Sequence, residues 1–163
     1  MNLPKDLFRA VSLTAALACA STGSAARAQT APAGCTGPAS NTWIEVVVDG
    51  FRNGDGLMAI TLYPDKPRKF LIKNGSLYVT RVKAQAGVTS GCIFVPKPGV
   101  YAIAIYHDEN ANEKIDRSAL GLPEEGFGFS NNPSTLAGLP AFRSVRLSIP
   151  RSGLVTRIRL KYP

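Results

Sequence analysis

The chain has 163 residues, with 19 Lys and Arg against 11 Asp and Glu, a formal net charge of +8, one histidine and three cysteines. Hydrophobic residues make up 45 % of it, enough for one domain with a true core and too much for intrinsic disorder. One histidine, with the two cysteines that follow Cys19, makes a poor donor set for zinc and leaves a histidine-dependent catalytic triad a single residue to build on.

In chain order, residues 1–28 read as a secretory signal peptide. Lys5 and Arg9 bracket a charged start, "AVSLTAALACA" (Ala10 to Ala20) is apolar but too short to span a bilayer, and Ala26, Arg27 and Ala28 form a small-x-small cleavage signal. The mature chain would begin near Gln29 and be exported, to the periplasm or the extracellular space. Cys19 would carry a lipid only in a lipoprotein signal; Ala16 stands where such signals usually carry Leu, so ordinary cleavage is expected. No later apolar run approaches the roughly 20 residues of a membrane helix. Residues 29–41 form a linker, and 42–163 a single β-domain. With Cys19 gone, Cys35 and Cys92 are expected to pair as a disulfide in an oxidising compartment. That bond would tie "APAGCTGPAS" to the domain and stabilise it by roughly 4 kcal/mol through loop closure.

From Thr42 the pattern is period two and rich in β-branched residues. "TWIEVVVDG" sets Ile44, Val46 and Val48 on one side with Glu45 and Asp49 on the other. "GLMAITLY" (Gly56 to Tyr63), "LYVTRVKA" (Leu77 to Ala84), "GCIFV" (Gly91 to Val95), "GVYAIAIYH" (Gly99 to His107), "SVRLSI" (Ser144 to Ile149) and "LVTRIRLKY" (Leu154 to Tyr162) are the other strands. In the last, Leu154, Thr156, Ile158 and Leu160 would face the core while Arg157, Arg159 and Lys161 face water. Turn signals "RNGDG", "KNGS", "PKPG" and "PRSG" punctuate them, and only "PDKPRKFLI" and "RSAL" could hold a helical turn or two. The predicted class is all-β: a seven-stranded antiparallel β-sandwich of immunoglobulin or transthyretin type with one long ordered loop.

That loop runs from Asp108 to Ala141 and has almost no β pattern, so it is expected to be functional or pinned. Its start, "HDENANEKID", spaces hard-cation ligands as an EF-hand loop does: Asp108, Asn110, Asn112, the Lys114 carbonyl and Asp116 fall at positions one, three, five, seven and nine. Glu113 stands where such loops need Gly, and Ala119 where a bidentate Glu closes the shell. A calcium site here would be of low affinity, roughly 0.1–1 mM. The competing reading is a chain of Asx turns, since Asn and Asp side chains bond their own backbone.

"VDGFRNGDG", "LYP", "PGVYAIAIYHDENANEKIDRSALGLPEEGFGFSNNP" and "GLPAFRSVRLSI" together resemble exported bacterial proteins of domain-of-unknown-function family 2141, over nearly the whole of Ile44 to Tyr162. Members typically read like "HDENGNGKLD" followed by a "GIPKEGYGFS"-like run. This chain matches at Asp108, Asn110, Asn112, Asp116, Gly121, Pro123, Glu125, Gly126, Gly128, Phe129 and Ser130, and replaces both loop glycines of the family, with Ala111 and Glu113. The resemblance implies a compact exported β-sandwich and brings no activity with it.

"EEGFGFSNN" sets Glu125, Phe127, Phe129 and Asn131 together as a possible ligand loop, able to stack on a sugar ring, or as a clasp whose aromatics cover the end of the sandwich. The basic residues cluster late, at Arg143, Arg146, Arg151, Arg157, Arg159 and Lys161. For an exported chain this suits envelope polysaccharide or another anionic surface better than nucleic acid, unless it is simply a solvated strand face. No G-x-S-x-G elbow or phosphate loop occurs, and Glu124 and Glu125 are adjacent rather than opposed across a bond. The expected function is therefore a non-enzymatic binding or accessory module of the cell envelope, with calcium as its one candidate cofactor. An anionic-glycan binder is the alternative, and a hydrolase built on His107 the more remote one.

Overall fold

A computed structural model describes residues 30–121, 123–135 and 138–163; the expected signal peptide lies outside the described residues. Among the described residues eight strands form: β1 (Thr42–Phe51), β2 (Leu57–Pro64), β3 (Tyr78–Lys83), β4 (Gly87–Val95), β5 (Gly99–Asp108), β6 (Phe127–Phe129), β7 (Leu147–Ile149) and β8 (Leu154–Arg159), with a 3-10 turn at Pro67–Lys69, inside "PDKPRKFLI", and one α-helical turn, α1 (Phe142–Val145). They make a three-stranded sheet ordered β4-β1-β8 and a five-stranded sheet ordered β3-β2-β5-β6, in which β7 also pairs with β5.

The alternation read along the chain is what builds the core between the sheets. Ile44, Val46 and Val48 of β1, Ile93 of β4 and Ile158 of β8 meet Met58, Ile60 and Leu62 of β2 and Ile103 of β5, all at 0 % exposure. Each such side chain contributes roughly 1.5–3 kcal/mol through burial. In β8 and the two residues after it the predicted faces hold: Thr156, Ile158 and Leu160 are buried, Leu154 is partly buried against the core, and Arg157, Arg159 and Lys161 are exposed.

Three details depart from expectation. The count is eight, because "FGF" forms the short β6, whose glycine interrupts the β pattern of the sequence. The sheets are not purely antiparallel, since β1 and β8 run parallel in register from Ile44↔Leu154 to Asp49↔Arg159. The cause is topological: β7 lies in the five-stranded sheet, so "PRSG" carries the chain across to the other sheet and is not a hairpin turn. Finally, "SVRLSI" is only half strand, because its first residues belong to α1, which buries Phe142 and Val145.

Those two residues belong to a second apolar cluster, on the far side of the five-stranded sheet. There Phe70 meets Tyr63, Phe129 and Phe142 edge-on, at ring-centroid distances of 5.2, 6.0 and 5.6 Å. The five-stranded sheet is thus covered on both faces, which explains the nearly continuous burial of β2. The Cys35–Cys92 disulfide forms as expected, and beside it Thr36 N–H bonds to the Cys92 carbonyl and Phe94 N–H to the Thr36 carbonyl, along the outer edge of β4. Among the described residues no helix is long and apolar enough to cross a membrane.

Candidate functional site

β5 delivers His107 and Asp108, both at 0 % exposure, to the start of the long loop. Asp108 acts as a backbone acceptor: Oδ1 takes the Asn112 N–H at 2.9 Å and Oδ2 the Glu113 N–H at 2.8 Å. Two Asx turns follow, with Asn110 Oδ1 accepting from Asn112 N–H at 3.1 Å and Asn112 Oδ1 from Lys114 N–H at 2.8 Å. The two amide groups then donate to Asp116, Asn110 Nδ2 at 2.7 Å and Asn112 Nδ2 at 3.0 and 3.2 Å to its two oxygens. The spacing thus brings Asp108, Asn110, Asn112 and Asp116 into one connected turn, which Lys114 joins through its N–H.

Glu125 closes this turn from seventeen residues further on. It is 4 % exposed, and its carboxylate accepts the Glu109 N–H at 2.9 Å and the Asp116 N–H at 3.0 Å. Burial pushes its carboxyl above the ordinary range, against the pull of those two N–H groups. The side-chain oxygens assigned to calcium, those of Asp108, Asn110, Asn112 and Asp116, are therefore engaged in hydrogen bonds, and among the described residues no three His, Cys, Asp or Glu side chains gather as a metal-ligand group. An ion would have to take over the amide contacts of Asp116. The feared strain at position six is real and doubled, since Ala111 has φ 55° and Glu113 φ 65°, the two places where the resembling family has glycine. A left-handed non-glycine residue costs roughly 1–2 kcal/mol, and the Asp108 bonds to the next turn offset it.

His107 is sealed. Its Nε2 lies 2.8 Å from the Asp55 carbonyl oxygen and its Nδ1 2.6 Å from the Tyr162 hydroxyl. A carbonyl can only accept, so Nε2 carries a proton and donates to Asp55, while Nδ1 pairs with the Tyr162 hydroxyl. Outside it, Arg52 lies 4.5 Å over the Tyr162 ring and holds Glu109 through both its Nε and Nη2. That guanidinium, with help from Asn53, keeps the Glu109 carboxyl below the ordinary range. The arrangement fastens the β1–β2 turn to the loop start and occupies both ring nitrogens of His107.

The aromatic run divides its labour. Phe129 is 5 % exposed in the second cluster, whereas Phe127 is half-buried against it. Asn131 donates from Nδ2 to the Arg146 carbonyl at 2.7 Å, so with Glu125 it is a fastening, and of the proposed ligand loop Phe127 and Phe129 both line a concave surface, Phe127 the more exposed of the two. The alternating glycines have their own reason. A β-carbon at Gly128 would lie 2.8 Å from the Arg159 carbonyl oxygen, and one at Gly126 2.6 Å from the Tyr162 ring. β6 can therefore pair with β5 on one side while Phe127 exchanges two backbone hydrogen bonds with Lys161 on the other. The run is a clasp joining the two sheets.

Sequence reasoning missed the concave surface itself. On the outer face of the five-stranded sheet lies a groove of about 280 Å³, floored by residues of β2, β5 and β6. Leu71, Ile72, Leu139 and Phe127 give it apolar walls, and Ile72 and Leu139 are 52 % and 58 % exposed. Leu71 holds its place there at φ 57°. The partial signal was the alternation of β2 and β5, which puts Thr61, Tyr63 and Tyr106 opposite the core-facing residues.

Among known proteins, neither a curated protein nor a solved structure matches the chain. A family match does exist, to proteins described as uncharacterized and conserved in bacteria, and it spans residues 46–156, from inside β1 through the self-bonded loop and the clasp into β8. The chain therefore belongs to the DUF2141 family.

Proposed function

We propose that this chain is an exported, non-enzymatic binding module of the cell envelope, a sandwich of immunoglobulin or transthyretin type whose loop and clasp hold a binding face in shape. The observation that carries the reading is the contrast between the open groove beside β6 and the sole histidine, buried with both ring nitrogens bonded. The disulfide supports export, because such bonds persist in oxidising compartments. The purified protein is expected to cleave chromogenic ester, phosphoester and glycoside substrates no faster than buffer. Saturable turnover of any of them overturns the reading.

A second reading keeps calcium as a staple of the loop, supported by the meeting of Asn110 and Asn112 on the Asp116 carboxylate. An ion that binds only the folded state raises the thermal midpoint once its concentration passes the dissociation constant, here about 0.1–1 mM. The expected result is a rise of a few degrees in excess calcium over chelator, lost in Asp116→Ala. A flat midpoint means that the loop is held by its own hydrogen bonds alone.

A further inference from the structure

We infer that the groove on the outer face of the five-stranded sheet binds a single-chain anionic amphiphile, an acyl chain ending in a carboxylate. This deepens the binding-module reading and rests on it. Three observations combine. The walls are aliphatic and aromatic, and two of them, Ile72 and Leu139, leave more than half of their surface in water, an arrangement that an apolar chain would relieve.

The second observation is charge. The two charged residues lining the groove are Lys73 and Arg117, both cations and both exposed, and no carboxylate joins them. Arg117 Nη1 donates to the Gly121 carbonyl at 2.9 Å, which folds the loop tip beside the groove and leaves its remaining N–H donors for an anion. No described residue holds the Lys73 ammonium in an ion pair or hydrogen bond. Cations at the rim of an apolar slot match a ligand with an acidic head and a hydrocarbon tail.

The third is polarity within the slot. Thr61 and Tyr63 line it at 7 % and 8 % exposure, and neither hydroxyl is hydrogen-bonded to another described residue. These hydroxyls offer a head group, or a water carried in with it, two hydrogen-bonding partners within the slot. The volume, about 280 Å³, lies at the small end of ligand sites and suits one chain of medium length rather than a bilayer lipid with two.

The test titrates the full mature chain with decanoate below its micelle concentration, with decanol as the uncharged control, following backbone amide shifts by NMR. Decanoate is expected to bind saturably, with the largest shifts at Lys73, Ala104, Tyr106 and Phe127. The double variant Lys73→Gln, Arg117→Gln, both positions on the surface, should weaken decanoate about tenfold or more and leave decanol unchanged. Equal affinity for decanoate and decanol, or indifference to the double variant, overturns the anionic head while leaving the groove as a binding face. Shifts confined to Arg157, Arg159 and Lys161, or no shifts with either probe, overturn the site itself. None of these outcomes depends on the turnover assay, so the two readings fail separately.

Discussion

Asp108→Ala is expected to lower the unfolding free energy by about 3 kcal/mol, read from urea melts followed by circular dichroism. The carboxylate is fully buried and is the acceptor for two consecutive N–H groups, those of Asn112 and Glu113. Alanine leaves the Glu113 N–H without its partner and the Asn112 N–H with only its longer bond to Asn110 Oδ1, in a turn already strained at Ala111 and Glu113, and an orphaned donor costs about 1–3 kcal/mol. Asp108→Asn separates the causes, because its single oxygen can serve one of the two donors and should recover about half of the loss. A loss below about 1 kcal/mol for the alanine variant would show that the loop does not depend on this residue.

Gly56→Ala should be at least as damaging, at roughly 2–5 kcal/mol. Gly56 sits at φ 59° in the β1–β2 connection, and a β-carbon there would fall within bonding distance of the Asp108 carbonyl oxygen and 2.6 Å from the Glu109 carbonyl carbon. Both obstacles are backbone, so no rotamer change relieves them. Gly87→Ala is the internal control: it shares a left-handed backbone at φ 80° but has nothing within 4 Å, so it should show the conformational cost alone, about 1 kcal/mol. Equal melts for the two variants would mean that the close approach of the turn to the end of β5 is not real. The same contact explains why "RNGDG" and "HDEN", far apart in the chain, act as one unit: Asn53 and Arg52 hold Glu109 from the turn side.

The sequence revealed what depends on near neighbours. Alternation found β1, β2, β5 and β8 with their buried faces, since period two is a local property. Asx spacing found the members of the loop, since those bonds span two to six residues. Cysteine arithmetic found the disulfide. What stayed hidden depends on distant partners. The parallel β1–β8 pair follows from which sheet receives β7, and β4 reaches back to Gly87 because β1 offers a partner that far, despite the polar "AGVTS" start. β6 has almost no propensity of its own and exists because β5 and Lys161 flank it. The groove draws its walls from β2, β5, β6 and two loops, so no single stretch carries its signature.

The short backbone bridges at Thr36 and at Lys161 also decide how the molecule meets its own copies. A sheet edge with unpaired N–H and C=O groups is a template for another chain. In the three-stranded sheet the β4 edge is covered by the segment that the disulfide anchors, and the β8 edge by the Asn132 amide, which bonds to the Arg157 carbonyl and the Arg159 N–H, and by Phe127. One of these two guards is chemical and the other conformational. Without the Cys35–Cys92 bond nothing covalent holds Thr36 against β4, and that edge is guarded by the hydrogen bonds of Thr36 alone. Oxidation thus does more than add stability: it fixes in place the segment that covers the β4 edge.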